Sequence, residues 1–154
     1  MAQTTNAKTF IRAAVDLSAD NSAWTEIDGF GASIAVDGGE RTVAEAHTFE
    51  GDTPVIGAGK RGSLSLTVRF LYTEQSSDPF EIARAIYETE GGACYVRYSP
   101  LGDSTSGGAA PFRFSTGAAV MTNFLYPQGD AKGEELIPGE FTVKCASLAK
   151  AAVA

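Results

Sequence analysis

The stretch from residue 62 to residue 99 constrains the fold more than any other part of the chain, because it holds three clear secondary-structure signals in a row. The first signal is a strand from Ser63 to Thr73. Apolar residues at 64, 66, 68, 70 and 72 alternate there with mostly small polar residues. This period of two is typical of a strand with one buried face.

A helix signal and a second strand follow. Asp78 stands where a helix N-cap is expected, Pro79 occupies the first helical position, and Glu81 has the spacing of a capping box. Gly91-Gly92 is a typical helix stop, so we predict a helix from 79 to about 90 and a strand over 93–99. A single helix among many strand signals indicates an α+β or mostly-β domain.

Five further segments carry strand signals. Two of them, 32–36 and 42–48, flank an Asp-Gly turn signal at residues 37–40, which predicts an antiparallel hairpin. The others are 10–17, 112–126 with a bend at Gly117, and 140–147 with alternating apolar residues. The total is about seven or eight strands and one helix.

Length and charge limit the possible functions. With 154 residues the chain has the size of one domain, which we place at 10–147 between a flexible N-terminal arm (1–9) and a short tail (148–154). The net charge of −7 is spread evenly, with 6 basic and 10 acidic residues in 1–77 and 6 and 9 in 78–154. A chain without a basic cluster is a poor candidate for gripping nucleic acid. We also expect no secretory signal and no membrane span.

The segment from His47 to Arg61 is predicted to be a long loop. It has no helical period, and it is longer than the loops that compact domains usually leave between strands. Its apolar residues Phe49, Val55 and Ile56 suit either a contact with a partner or packing onto its own domain.

The predicted helix is apolar over most of its circumference. Glu81, Arg84 and Glu88 form one charged stripe along it. The remaining positions are apolar: Phe80, Ile82, Ala83, Ala85, Ile86 and Tyr87. Such a helix is covered on more than one side, either by its own domain or by a neighbouring subunit.

No set of residues has the pattern of a catalytic, cofactor or metal site. The only histidine, His47, has no nucleophile in a suitable context, and the Gly-Asp-Ser at 102–104 lies in a flexible loop. Residues 57–62 match G-x-G-x-x-G, but a strand follows where a dinucleotide site needs a helix. Cys94 and Cys145 are predicted to be buried and reduced, although the sequence alone leaves a disulfide possible.

Over residues 30–147 the order of elements resembles the major tail tube protein of long-tailed bacteriophages. The resemblance lies in five segments. They are Ser33-Ile34-Ala35-Val36-Asp37-Gly38-Gly39 before a long loop, Gly62-Ser63-Leu64-Ser65-Leu66-Thr67-Val68, Asp78-Pro79 opening a single helix, Tyr95-Val96-Arg97-Tyr98-Ser99-Pro100-Leu101-Gly102, and Phe141-Thr142-Val143.

The resemblance implies an antiparallel β-sandwich or barrel with one flanking helix, a fold shared with the type VI secretion tube. It further implies a non-enzymatic structural role: hexameric rings that stack into a tube in the virion, through which DNA passes without specific binding. Partners would be further copies of the chain and other tail proteins such as the tape measure, terminator and tip. Assembly would take place in the host cytoplasm, and no cofactor or metal is implied.

Three sets of residues become candidates for assembly under this resemblance. The inter-ring contact would use the loop at 47–61, with Phe49, Val55, Ile56, Lys60 and Arg61. The subunit boundary would use the helix, with Phe80, Ile82, Ile86 and Tyr87. The lumen would be lined by the polar face of the 62–73 strand, with Ser63, Ser65, Thr67 and Arg69.

Two other readings remain open at this stage. One is a secretion-system tube or a different tail component of the same shape. The other is a monomeric β-sandwich that binds carbohydrate or a receptor, for which Trp24 and Tyr126 are the candidate aromatic platform.

Overall fold

A computed structural model describes residues 13–102 and 112–152 of the chain. The described elements are β1 (Ala14–Ser18), β2 (Thr25–Glu26), β3 (Gly31–Gly38), β4 (Arg41–Ala46), β5 (Val55–Arg61), β6 (Leu64–Leu71), α1 (Pro79–Glu88), β7 (Ala93–Ser99), β8 (Phe112–Ser115), β9 (Ala119–Leu125), β10 (Pro138–Cys145) and β11 (Ala149–Ala152). This part of the chain is mostly antiparallel β structure with one helix, which confirms the predicted fold class.

Nine of the described strands form two sheets that share β7, and β4 and β5 form a separate two-stranded sheet. The four-stranded sheet has the order β3-β6-β10-β9, and the second sheet contains β2, β1, β7, β8 and β11. The start of β7 pairs with β9, while its later residues pair with β1 and β8. Every one of these pairings is antiparallel. Because β7 pairs with strands of both sheets, it connects the two halves of the domain.

One hydrophobic core lies between the two sheets, and β6 and β10 supply its centre. Their buried side chains alternate along each strand: Leu66, Val68, Phe70, Phe141, Val143 and Cys145. Phe141 lies opposite Val68, and its ring centroid is 5.8 Å from that of Phe70. Leu17 from β1 and Val96 from β7 belong to the same cluster. The predicted apolar face of the 63–73 strand is therefore confirmed.

The predicted hairpin between 32–36 and 42–48 is wrong. β3 pairs with β6, and β4 pairs with β5 instead. Gly38 and Gly39 have φ values of +85° and +74°, but they bend the strand without reversing it. The amide of Gly39 donates to the carbonyl of Ser63, and the amide of Gly62 donates to that of Glu40. Pairing with β6 also packs Ile34 against the core, a burial that a local turn does not provide.

The prediction of a long loop at 47–61 is also wrong in part, since Val55–Arg61 is strand β5 and only 47–54 connects β4 to it. Gly57, Ala58 and Gly59 have low strand propensity, so the sequence pattern did not indicate a strand there. β5 forms because it pairs with β4. β3 leads into β4, and β5 leads back into β6. The four strands therefore form one long antiparallel pair that bends at Gly38 and Gly39.

The helix begins as predicted but ends earlier. Asp78 is the N-cap residue and Pro79 follows it, yet the Asp78 side chain makes no capping hydrogen bond, so the predicted capping box is wrong. The helix ends at Glu88 with Thr89 as the C-cap, two residues short of the predicted end. Arg84 forms ion pairs with Glu81 at 2.6 Å and Glu88 at 2.9 Å, which confirms the charged stripe.

The segment 112–126 is divided between the two sheets. β8 pairs with β7 and β11, whereas β9 pairs with β10 and β7. Gly117 lies between them with φ +64°, which confirms the predicted bend. Within the predicted tail, Ala149–Ala152 forms the separate strand β11, which pairs with β8. The predicted arm 1–9 lies outside the described residues.

The two cysteines are free and buried. Cys94 lies opposite Ala119, and the β9–β10 register places Cys145 on the other side of the same alanine. Two strand spacings separate their Cα atoms by about 10 Å, which is too far for a disulfide. Burial, with a smaller contribution from Cys145, raises the pKa of Cys94 from 9.0 to about 12.

Candidate assembly surfaces

The β4–β5 pair, which we call the ribbon, is the most exposed part of the described chain. Its strands pair only with each other, all six residues of β4 are exposed, and Gly59 is the only half-buried residue of β5. Val43, Val55 and Ile56 are 60–64% exposed. Because an isolated two-stranded hairpin is marginal in water, the ribbon is a surface that a partner would stabilise.

The register of the ribbon assigns its side chains to two faces. Ile56 lies opposite Glu45 on the face that also carries Val43. Val55 lies opposite Ala46 on the other face. Phe49, in the connection between the strands, is fully exposed. The apolar residues predicted for an inter-ring contact are thus all on the ribbon, but they point to different sides of it.

Positive charge is concentrated at the base of the ribbon. Arg41 lies directly opposite Arg61, and Lys60 is the next residue. Arg41 donates from Nη1 to the carbonyl of Gly59 at 3.0 Å, and none of these three cations has an ion-pair partner among the described residues. Like charges opposite each other are destabilising, and the exposed anion Glu40 directly precedes Arg41 at this base.

The four residues predicted for the lumen lie on the outer side of the four-stranded sheet or next to it. Ser65, Thr67 and Arg69 alternate with the buried residues of β6, and Ser63 directly precedes that strand. Thr67 shares a hydrogen bond of 3.1 Å between hydroxyls with Thr142, and Arg69 Nε lies 3.0 Å from Glu140 Oε2. The structure therefore brings three of the four residues together on one polar face.

This polar face carries balanced charge. Arg69 and Glu140 form its ion pair. Asp37 and Lys144 lie on opposite sides of Ser65 in the same row. Two cations and two anions on these strands add no net charge, so the −7 of the whole chain does not come from this face.

The four-stranded sheet has two edges that lack a strand partner among the described residues. On one side, β3 pairs only with β6. On the other side, β9 pairs with β7 only through Ala119 and Val120, which leaves its later residues without a second neighbour. Three antiparallel pairings separate β3 from β9, so the two open edges run antiparallel to each other. Val36, on the β3 edge, is 43% exposed.

The helix is covered mainly by its own chain. Phe80 and Ile86 are 2% and 6% exposed and belong to the core, so the structure removes them from the predicted subunit boundary. Ile82 and Tyr87 are half-buried and remain available. Tyr87 stacks on Phe124 with ring centroids 5.9 Å apart.

The two aromatic residues that a carbohydrate-binding platform would need have separate surroundings. The guanidinium carbon of Arg97 lies 3.9 Å from the centroid of Trp24, and Arg97 Nε lies 2.8 Å from Asp16 Oδ2. Tyr126 packs edge-on against Phe124 at 5.2 Å. One face of Trp24 is therefore occupied by a paired cation, which does not favour a sugar-stacking role.

Sequence reasoning missed two features of the surface. The open edges depend on which strands pair, and no local pattern gives that. The second is the pair Leu136 and Ile137, which lie between β9 and β10 and are 77% and 39% exposed. An apolar dipeptide among polar residues was the available signal.

Within residues 13–102 and 112–152, no helix is both long enough and apolar enough to cross a bilayer. In the same part of the chain, no three His, Cys, Asp or Glu side chains converge as metal ligands.

Comparison with known proteins identifies the fold. No protein-family model and no curated protein matches the chain. Among solved structures, a chain from the sheath/tube terminator of the PVC extracellular contractile injection system is 14% identical, with a TM-score of 0.69 over 97% of this chain and 100% of that one. A chain from the baseplate of the anti-feeding prophage is 12% identical, with a TM-score of 0.68 over 97% of both chains.

A third similar structure comes from the tail of an empty gene transfer agent particle refined with C6 symmetry. Its chain is 15% identical, with a TM-score of 0.65 over 96% of this chain and 100% of that one. At these identities the comparisons show the fold, which is tail tube-like.

Proposed function

We propose that this chain is the structural subunit of a bacteriophage tail tube, in which six copies close into a ring and the rings stack around a channel for DNA. The observation that carries the proposal is the pair of open edges on the four-stranded sheet. The tail tube-like fold over nearly the whole chain supports it.

The two edges fit a closed ring. In a cyclic assembly every copy has the same orientation, so β9 of one copy meets β3 of the next. Because these strands run antiparallel within one copy, they also meet antiparallel between copies and continue the alternation of the sheet. Such a heterologous contact forms a ring when the rotation closes. Closure also removes the edges that otherwise promote aggregation.

The size of the ring follows from the sheet. Six copies of a four-stranded sheet give a barrel of 24 strands. At a spacing of ~4.8 Å, strands parallel to the axis would form a barrel roughly 37 Å across, and tilted strands a wider one. A barrel of this size has an open lumen.

The polar face suits the lining of this channel. Thr67 and Thr142 satisfy each other's hydroxyls, and Glu140 pairs with Arg69. Affinity for nucleic acid depends on lysine and arginine that neutralise phosphates, so a face whose charges balance within itself would bind a passing polyanion weakly. We infer passage of DNA without specific binding.

The remaining parts of the proposal concern the assembled particle. The ribbon would bridge successive rings, and other tail proteins such as the tape measure, terminator and tip would be further partners in the virion. A tube of an injection particle is the second candidate, which is favoured by the fold comparison with contractile injection systems. Nuclease-protected DNA in purified particles would support the virion tail, whereas particles without DNA would support the second candidate.

Ring closure is tested with a matched pair of substitutions. Val36→Asp places a charge on the open β3 edge, where the side chain is 43% exposed on the face that it shares with Leu66. The variant should remain monomeric, and circular dichroism should verify that it still folds. Val120→Asp is the control, since that residue is 48% exposed but lies where β9 already pairs with β7. Mass photometry and negative-stain electron microscopy should show six-fold rings for the parent and the control. A parent protein that remains monomeric at high concentration would overturn the proposed function.

A further inference from the structure

We propose that the second sheet encloses a binding site for a single water molecule, which bridges the carboxylate of Asp16 in β1 to the hydroxyl of Ser99 in β7. The site lies on the side of this sheet that points away from the hydrophobic core, which we call the outer face. All of its atoms belong to one copy of the chain, so the inference does not depend on the proposed function.

Asp16 and Ser99 lie on the same face of two neighbouring strands. The register of β1 and β7 places Asp16 opposite Arg97. Two residues further along the pair, Ala14 lies opposite Ser99. Residues that are opposite each other, or two positions apart on one strand, share a face. Val96, one residue before Arg97, belongs to the core, so Asp16 and Ser99 are diagonal neighbours on the outer face.

Both side chains are buried, and each has a polar atom that lacks a hydrogen-bond partner among the described residues. Asp16 is 3% exposed and Ser99 is 1% exposed. Asp16 Oδ2 accepts from Arg97 Nε at 2.8 Å, whereas Asp16 Oδ1 and Ser99 Oγ have no partner in the described part of the chain. Unpaired polar atoms are costly in a protein interior, so nearly all of them bind another protein group or an ordered water.

The side chain between the two atoms is small enough to leave room for a water molecule. Ala14 lies opposite Ser99 and two residues from Asp16, and it is itself only 2% exposed. Diagonal neighbours in an antiparallel pair are about 7–8 Å apart, a spacing over which one water can bridge a carboxylate and a hydroxyl. Two polar partners in a polar site are sufficient to hold a buried water.

The local charge favours a neutral ligand over a cation. Asp16 is already paired with Arg97, whose guanidinium would repel a metal or ammonium ion at the second carboxylate oxygen. In the described part of the chain, no three acidic, histidine or cysteine side chains converge as metal ligands. Water can donate to the carboxylate and can either donate to or accept from the serine hydroxyl, which matches the two atoms that need a partner.

The enclosed water would hold the carboxylate that positions Arg97 against Trp24. The guanidinium carbon of Arg97 lies 3.9 Å from the centroid of the Trp24 ring. Ser99, the water, Asp16, Arg97 and Trp24 would thus form one continuous series of contacts that links β7, β1 and the residue before β2. Trp24 is the only tryptophan of the chain, so its fluorescence reports on this series.

A crystal structure in which ordered waters are resolved tests the site directly. We expect one water within about 3 Å of both Asp16 Oδ1 and Ser99 Oγ. A direct hydrogen bond between these two atoms, or density for no molecule at all between them, would overturn the inference. An anomalous signal from thallium(I) at this position would also overturn it, because thallium(I) replaces potassium and does not replace water.

Deuterium magnetic relaxation dispersion of water provides the test in solution, since it counts the waters that remain bound. Ser99→Val removes the hydroxyl and fills the space, so it should bind one long-lived water fewer than the parent and shift the emission of Trp24. Thr116→Val is the matched control, because Thr116 is 6% exposed and its hydroxyl already contacts the amide of Val96 and the carbonyl of Gly117. The control should keep the parental count.

An equal number of long-lived waters in Ser99→Val and the parent would contradict the inference. If Ser99→Val does not fold, as circular dichroism would show, the crystal structure of the parent decides. Rings and monomers should give the same result for each copy, so neither outcome bears on the proposed function.

Discussion

The ribbon and the β6–β10 pair are both antiparallel ladders from the same chain, yet they differ in almost every other respect. β6 and β10 pair over eight residues each and bury one face of both strands in the core. The ribbon pairs over a similar length, but nearly all of its side chains are exposed. Backbone pairing alone therefore does not distinguish the part that holds the monomer together from the part that remains exposed.

The difference has an energetic meaning. Full burial of a large apolar side chain contributes about 1.5–3 kcal/mol, and β6 and β10 together bury five such side chains and Cys145. The ribbon buries almost none of its apolar area in the monomer. The stability of the monomer should thus depend on the sheet, whereas the side chains of the ribbon should contribute little to it.

The largest expected effect comes from truncating the centre of the sheet. Phe141 is 0% exposed and packs against Phe70, so Phe141→Ala should lower the free energy of unfolding by about 3–5 kcal/mol through lost burial and a cavity. The matched substitution in the ribbon, Ile56→Ala, should change it by less than about 0.5 kcal/mol. Urea denaturation of the monomeric protein measures both. Equal losses for the two variants would mean that the ribbon packs onto its own domain.

A smaller effect is expected where the ribbon joins the sheet. Gly38 has φ +85°, and an added Cβ would lie 2.6 Å from the carbonyl oxygen of Ser63, so Gly38→Ala should cost about 2–3 kcal/mol and displace the ribbon. Gly91 has φ +84° with nothing near its Cβ position, and Gly91→Ala should cost only about 1 kcal/mol. Thermal unfolding gives the two values. If they were equal, the close contact at the junction would have no energetic role.

The comparison also shows what the sequence could and could not predict. The β6 and β10 strands were predicted because their alternation is local and their burial follows from it. The pairing of β3 with β6 was not, since the Asp-Gly signal at residues 37–38 favours a tight turn and only the distant strand shows otherwise. β5 was missed because its glycines lower its strand propensity, and β4 supplies the pairing instead.

The candidate surfaces divide in the same way. The polar positions Ser65, Thr67 and Arg69 followed from the period of two along a single strand. The open edges depend on the sheet order, and the position of the exposed Ile137 depends on its hydrogen bond with Tyr72; both are long-range facts. The helix residues Phe80 and Ile86 were assigned to a boundary because an apolar helix does not reveal which chain covers it.

The smallest expected effect concerns alkaline pH and again separates sheet from ribbon. Burial raises the pKa of Cys94 from 9.0 to about 12, which means that the folded state favours the neutral thiol. This contribution to stability is fully present below pH 9 and is lost as the pH rises toward 12, because the unfolded chain releases the proton first. Between pH 8 and pH 10 the loss should be about 1 kcal/mol. Cys94→Ala should flatten this part of the pH profile of urea denaturation, whereas Ile56→Ala should leave it unchanged, since the thiol lies in the sheet and not in the ribbon. A profile that Cys94→Ala does not alter would assign the alkaline loss to other groups.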